Sequence, residues 1–573
     1  MKNKILLLIL CPLLFLGCSK DHLEKPPLDA LTDDTYWTSE ANVRTFAYSF
    51  YVRNFPGYAS SFDLSFGGFF TGQTLNDDFA SSSRFATTTP SSNGTWSGAF
   101  PQLRRANLMM NRIPTVPMPQ EAKNHWMGIA RFFRAMEYAN QVNDFGDFPY
   151  YNRVLTEDDP ELYKPRDPRT MVMDSVLADF QYAAANVRTN DGDKTTVNRY
   201  AVLARMSEIF LFEGTWQKYH HSNTTKANVY LEAAKWAANE VITKGGYSVV
   251  PVYKSLFTSL DLSPNPEIIL FRRYEPALLM HAIASYNNQH EPQNSAANKD
   301  AIDSYLGKDG LPIALSTTYQ GDKTIMVGSA KKPANLIIGT RDPRITHTFA
   351  DSLRIDGHSG SFSHSTSGYA VHKFLNLSLL GTSETLSSTN SSDAPEIRYG
   401  AVLLNYAEAC AELGTITQAD LDKSINKLRD RADVKMPFLQ VIGGQPAVNG
   451  KVYDDPKRDP TVPSLIWEIR RERRVELMME GFRLDDLRRW KKLEYVDQVQ
   501  RKDVNRGAWI KKSDYPKSKV IIENNAAEGY IIPVPPASVR TFDNPRVYLS
   551  PVGPDQIKLY KDQGVELTQN PGW

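Results

Sequence analysis

Cysteine is scarce in this sequence, with three in 573 residues, at positions 11, 18 and 410. Cys11 and Cys18 fall in an N-terminal segment of their own, so Cys410 is the single thiol of the rest, and no internal disulfide can staple it. Excess charge of either sign is missing too. The balance is 66 Lys and Arg against 65 Asp and Glu, a net +1, which gives no global field to draw in nucleic acid or an anionic membrane. Gly (33) and Pro (35) are at ordinary levels, which excludes collagen-like and low-complexity architectures. The apolar run Ile5–Leu16, interrupted by Pro12, falls short of the ~20 residues a membrane-spanning helix needs.

Catalytic signatures are also lacking. There is no HExxH zinc helix, no GxSxG elbow, no GxxxxGK[ST] phosphate loop and no CxxC pair. Metalloprotease, esterase, nucleotide-hydrolase and thiol-redox chemistries are left without support. A glycosidase is not excluded, because its two carboxylates carry no sequence signature. His220-His221 is the one adjacent histidine pair; it has no Asp, Glu or His at metal spacing and reads as a solvated loop. Glu157-Asp158-Asp159-Pro160-Glu161 lacks EF-hand spacing and reads as a solvated acidic run. No metal and no cofactor are expected.

What is present is a chain with 41% hydrophobic and 11% aromatic residues, enough for a sizeable core. At the N-terminus, Met1-Lys2-Asn3-Lys4, the apolar run and small Gly17 before Cys18 resemble a bacterial lipoprotein signal. That resemblance implies a signal peptide over residues 1–17 and acylation of Cys18, since Cys11 follows bulky Leu10. Residues 18–29, polar and stiffened by Pro26-Pro27, read as a tether, and 30–573 as a single body. Ser19 and the acidic residues after it resemble signals that route lipoproteins to the outer membrane and its surface.

Apolar steps of three and four dominate the flanks of the body. Trp126, Ile129, Ala130, Phe133 and Met136 form one stripe, which ends near Asp144-Phe145-Gly146. Further helices are expected over about Met171–Val187, Arg199–Glu213, Val229–Thr243, Arg398–Leu413, Leu421–Ala432 and Ser464–Leu493. Ala201 and Ala204 in one helix face Ala233, Ala234, Ala237 and Ala238 in the next, small residues that permit the close packing of tetratricopeptide-like (TPR-like) hairpins. The fold class is therefore mainly α, with TPR-like helical parts at about 120–250 and 395–495. About 52–100 and 250–395 are irregular, rich in Gly, Pro, Ser and Asn, and these parts are expected to carry the ligand site.

Ile397–Gly414 (IRYGAVLLNYAEACAELG), Ile425–Val434 (INKLRDRADV) and Ile469–Leu493 (IRRERRVELMMEGFRLDDLRRWKKL) resemble segments of SusD/RagB-family lipoproteins. Gly339-Thr340-Arg341-Asp342-Pro343-Arg344, Tyr530–Pro535 and the terminal Gln569–Trp573 match in the family's order. The resemblance implies a cell-surface lipoprotein of the outer membrane that captures oligo- or polysaccharide without catalysis and delivers it to a SusC-like TonB-dependent transporter. A RagB-like, peptide-capturing lid is the alternative, and a glycoside hydrolase a more distant one.

In the long helix, Glu468, Glu472, Glu476 and Glu480 alternate with arginines. Glu468 with Arg471, Arg473 with Glu476, Glu480 with Arg483, and Asp485 with Arg489 stand at helical neighbour spacing, which points to a structural charge lattice rather than an acid/base pair. Trp490 reads as core or as a cation–π partner. For the ligand, the resemblance places Trp96 near the binding region and Asp77, Asp78 and Arg84 at polar contacts; Trp96 serves equally well as a structural residue at a helix start. Tyr286-Asn287, in a loop rich in Asn and Gln, is a second candidate edge. One shallow groove joining Trp96, Asp77 or Asp78, Arg84, Tyr286 and Asn287 is the resulting expectation.

Overall fold

The computed structural model describes residues 36–573 except 62, 64, 66, 70, 71, 290–295 and 356–364, and the backbone alone for 287–289 and 296. The expected signal peptide (1–17), Cys18 and the whole tether at 18–29 lie outside the described residues. Among the described residues no helix is long and apolar enough to cross a membrane.

The flanks are helical, as the periodicity predicts. Helices α1 (Gly94–Arg112), α2 (Gln120–Phe145), α3 (Arg169–Asn186), α4 (Arg199–His220) and α5 (Thr224–Lys244) follow one another and pack in sequence order. Asn side chains start three of them. Asn93 accepts from the N–H groups of Thr95 and Trp96, Asn198 from those of Tyr200 and Ala201, and Asn223 from that of Lys226, satisfying donors that a helix start leaves bare. Gly146, at φ +78°, ends α2 where the sequence places its stop. The predicted stripe of α2 is buried, from Trp126 to Met136.

Small residues set the helix spacing. Ala201, Ala234, Ala237 and Ala238 are fully buried between α4 and α5. At Gly214 of α4 an added Cβ would stand 2.7 Å from Leu231 Cγ, a separation only glycine permits. Buried ion pairs cross the neighbouring interfaces: Arg134 of α2 binds Asp179 of α3 at 2.8 Å, and Arg169 of α3 binds Glu213 of α4 at 2.6 Å.

Helices α6 (Tyr399–Glu412), α7 (Ser464–Glu476), α8 (Arg483–Arg489) and α9 (Pro554–Asp562) complete the scaffold. The single helix expected over Ser464–Leu493 is instead α7 and α8. Between them Met479 and Gly481 take φ +62° and +84°, and a Cβ on Gly481 would lie 2.1 Å from the carbonyl oxygen of Gly68. The break lets the chain close on that backbone. Likewise, Leu421–Ala432 is two short helices, Gln418–Lys423 and Ile425–Arg429.

The middle is irregular, as expected, with short helices and small antiparallel sheets, among them Ile268–Arg272 paired with Ala394–Arg398. One large apolar cluster joins α1 to α7 and includes Cys410, a free buried thiol. A second gathers Tyr58, Phe257, Tyr305, Phe374 and Ile531 from the irregular segments.

Candidate functional site

The six predicted ligand residues do not meet in one groove. Trp96, in the first turn of α1, is 1% exposed; its ring meets Phe145 edge-on at 5.1 Å and lies 4.7 Å from Phe148, inside the first core cluster. Asp77 is fully buried and accepts two hydrogen bonds from Arg483, at 2.7 and 2.8 Å. Burial alone would raise its carboxyl, but Arg474 and Arg483 hold it well below the ordinary value. Asp78, 1% exposed, accepts from Arg474 Nε at 2.6 Å. Burial corrects the readings of Asp77 and Asp78 as hydroxyl acceptors and of Trp96 as an open stacking platform; Trp96, 1% exposed, instead borders a cleft from below. Arg84 is exposed and donates from Nη2 to the carbonyl of Val539 at 3.1 Å. Tyr286 is half-buried against the second cluster, and Asn287 follows it on the helix Ile283–Gln289, where a loop was expected.

An open cleft of about 800 Å³ lies above Trp96 instead. Its walls come from α1, the loop 151–163 and α9, and carry Phe100, Tyr151, Tyr163 and Tyr560. Phe100 sits one turn after Trp96 on α1 and stacks on Phe148 at 5.4 Å. Tyr163 meets Tyr560 edge-on at 5.3 Å, and Tyr151 donates its hydroxyl to the carbonyl of Leu162 at 3.1 Å. Burial pushes the Tyr560 phenol up to about 12, so it stays a neutral donor and acceptor. Two bonds pin α9 to the start of α1: the Asn93 N–H donates to Gln556 Oε1 at 3.1 Å, and Asn93 Nδ2 donates to the Pro551 carbonyl at 2.9 Å. Arg104, Arg153 and Glu157 stand exposed on the rim. Arg153 is oriented by Asp159 and by Glu161 at 3.1 Å, which gives the acidic run a partner. Apolar walls and a rim of donors and acceptors fit a ligand with one apolar face and many hydroxyls.

The sequence model of the SusD family matches residues 266–573, more than half of the chain. The chain belongs to the SusD family. A SusD-like protein of Bacteroides ovatus is 23% identical over 286 residues, a match covering 48% of this chain and about half (50%) of that protein. A SusD-like protein of Formosa agariphila is 22% identical over 517 residues, covering 85% of this chain and 91% of the relative. Among solved structures, a SusD-like carbohydrate binding protein of Bacteroides fragilis shares the fold with a TM-score of 0.66 at 19% identity, covering 92% of this chain and 99% of that one.

Within the part matched by the SusD family, the charged segment is a buried clamp. Glu476 is fully buried and accepts from Arg344, Arg398 and Arg431, each at 2.9 Å. Glu480 holds Arg398 and Lys373, both at 2.6 Å. Of the neighbour pairs expected along one helix, Glu468 with Arg471 forms, at 3.1 Å. The others form elsewhere: Arg473 pairs with Asp486, Arg489 with Glu408 and Asp486, and Asp485 with Arg488. The lattice is structural, as expected, but beside the i,i+3 pairs Glu468–Arg471, Asp485–Arg488 and Asp486–Arg489 it also joins different segments. Trp490 is core and cation–π partner at once, 2% exposed with the Arg470 guanidinium 4.3 Å from its ring.

His220 is not in a solvated loop. It ends α4, stacks on Trp216 at 3.8 Å and bonds the Arg488 carbonyl through Nε2 at 2.8 Å; burial pushes its pKa down to about 3. Among the described residues no group of three or more His, Cys, Asp or Glu is placed to hold a metal.

Proposed function

We propose that this SusD-family protein is a glycan-binding lipoprotein of the outer-membrane surface, anchored through acylated Cys18, that takes up oligo- or polysaccharide in the aromatic cleft and passes it to a SusC-like TonB-dependent transporter. The observation that carries the reading is the cleft: four aromatic side chains line an open cleft of about 800 Å³, with arginines on the rim. Binding without catalysis fits its charges. Glu157 is the one carboxylate lining it among the described residues, whereas glycoside hydrolysis needs two acting together. The aromatic lining favours a glycan over a peptide, whose backbone would ask for more paired donors and acceptors.

Contact with the half-buried rings of Phe100 and Tyr163 is weak per subsite, so affinity accumulates along a chain. Purified protein is expected to be retarded in gels containing its cognate polysaccharide, with a peptide pool as the contrasting ligand. Phe100→Ala should lower affinity at least about tenfold, a loss of ~1.4 kcal/mol, with the thermal midpoint little changed. Retention of full affinity in both Phe100→Ala and Tyr163→Ala would overturn the site.

A further inference from the structure

A second cavity, of about 470 Å³, opens between α7, α8 and the segment 495–506, away from the aromatic cleft. Its volume lies in the range of small-ligand sites. Six arginines and two lysines line it against four aspartates. The acids that balance the deeper arginines sit behind them. Asp77, Asp78 and Glu412, the partners of Arg483, Arg474 and Arg470, are 0%, 1% and 5% exposed, and none lines the cavity. The wall therefore presents guanidinium groups, of which Arg474 and Arg501 share Asp300, Arg471 meets Asp455 and Arg506 meets Asp503 within the wall itself.

These groups are held rigidly and are not fully used. Asp300 bridges Arg474 at 2.8 Å and Arg501 at 2.9 Å, fixing both. The Nε of Arg470 and that of Arg506 are buried and have no hydrogen-bond partner; Oδ1 of Asp303 is a buried acceptor in the same position. Arg470 as a whole is 5% exposed. Leaving such groups unpaired costs about 1–3 kcal/mol each, more for charged ones; it is the charged lining of the cavity that suits a polar occupant. Trp467 and Tyr495 add ring surface, and the Arg501 guanidinium stands 4.4 Å from the Tyr495 ring. At the mouth, Lys502 is exposed and has no partner among the described residues.

We propose that this cavity is a separate site for an anionic sugar residue, one bearing a carboxylate or a sulfate. Guanidinium forks match both oxyanions, and the aromatic walls take the C–H face of the ring. Lys502 guides the anion to the mouth. The inference goes beyond the cleft reading and stands on different residues.

The test is calorimetric titration of the full-length protein with tetragalacturonate, with a sulfated carrageenan tetrasaccharide and with neutral cellotetraose. At least one anionic probe should bind, weaken with added salt, and lose at least about tenfold in Lys502→Glu or Arg506→Gln. The probe that binds names the oxyanion. Phe100→Ala should leave this binding unchanged, so failure here is separable from failure of the cleft. Because Lys502 is exposed and has no partner among the described residues, Lys502→Glu should keep the wild-type thermal midpoint. The proposal is overturned if neither anionic probe binds, if cellotetraose binds as tightly and is equally weakened by Lys502→Glu, if both charge variants bind normally, or if Phe100→Ala abolishes the binding.

Discussion

Replacing Glu476 by Gln tests whether the charged lattice holds the fold. Its carboxylate accepts from three arginines, through Oε1 from Arg398 and Arg431 and through Oε2 from Arg344. Gln keeps the shape and one acceptor, but turns an amide N–H toward a guanidinium and removes the charge. No arginine is stranded, because Arg344 keeps Asp342 and Glu472, Arg398 keeps Glu267 and Glu480, and Arg431 keeps Glu267. The cost should therefore sit at the low end of a broken buried pair, about 3 kcal/mol. Burial opposes ionisation of Glu476, yet Arg431, Arg398 and Arg344 hold its pKa down at about 2. A depressed carboxylate gives its full stabilisation above the unfolded value near 4.5 and loses it as pH falls toward the folded value. Urea unfolding at pH 7 and at pH 3 should show the gap between wild type and Glu476→Gln shrinking by about 2 kcal/mol. A gap below about 1 kcal/mol at pH 7, or one that does not change with pH, would refute the reasoning.

Two further outcomes are expected. Glu396 lines a cavity of about 270 Å³, and burial pushes its carboxyl up to about 7, only partly relieved by Arg205 and by the Gly57 N–H. A raised carboxyl loses stability as pH climbs from the unfolded 4.5 to about 7, so Glu396→Gln should match wild type near pH 4 and exceed it by up to about 2 kcal/mol at pH 8, read from urea midpoints. Gly214→Ala should destabilise by about 1–2 kcal/mol, because overpacking against Leu231 outweighs the helix propensity gained; an unchanged urea midpoint would mean that α4 and α5 can part at no cost.

The helical flanks were legible because their residues repeat the helix period and end on recognisable signals. The Trp126–Met136 stripe, the Ala faces of α4 and α5, and Gly146 each predict what they form. The lattice was legible in kind but not in pairing. Spacing along one helix suggests partners three or four residues away, and the break at Met479 and Gly481 sends those side chains to Glu408, Asp342 and Arg398 segments instead. Gly481 was the visible signal for that break, and its reason, contact with the Gly68 backbone, is tertiary. The cleft was the least legible part. Trp96 and Phe100 stand one turn apart on α1, but Tyr163 and Tyr560 converge on them from segments about 60 and 460 residues further along, and no local pattern records that meeting. The resemblance led to Trp96, whose burial makes it the floor under the aromatic walls.

The absence of disulfides and the density of buried charge are two sides of one constraint. Cys410 is buried and free, so the irregular middle has no covalent staple. Its segments also lack the periodic apolar faces that fix register in a helix pair. Ion pairs supply direction that apolar contact cannot: Glu476 alone brings together Arg344, Arg398 and Arg431, and Glu267 joins the last two again. Such pairs add little net stability over apolar packing, since desolvation consumes most of the attraction. Their effect is to make any other arrangement of these segments leave a charge unpaired in a dry interior, at a cost of several kcal/mol. The same lattice carries Arg470 and Arg474 to the wall of the second cavity, so the rigidity that sets the irregular chain in place also presents that cavity's donors in a fixed geometry.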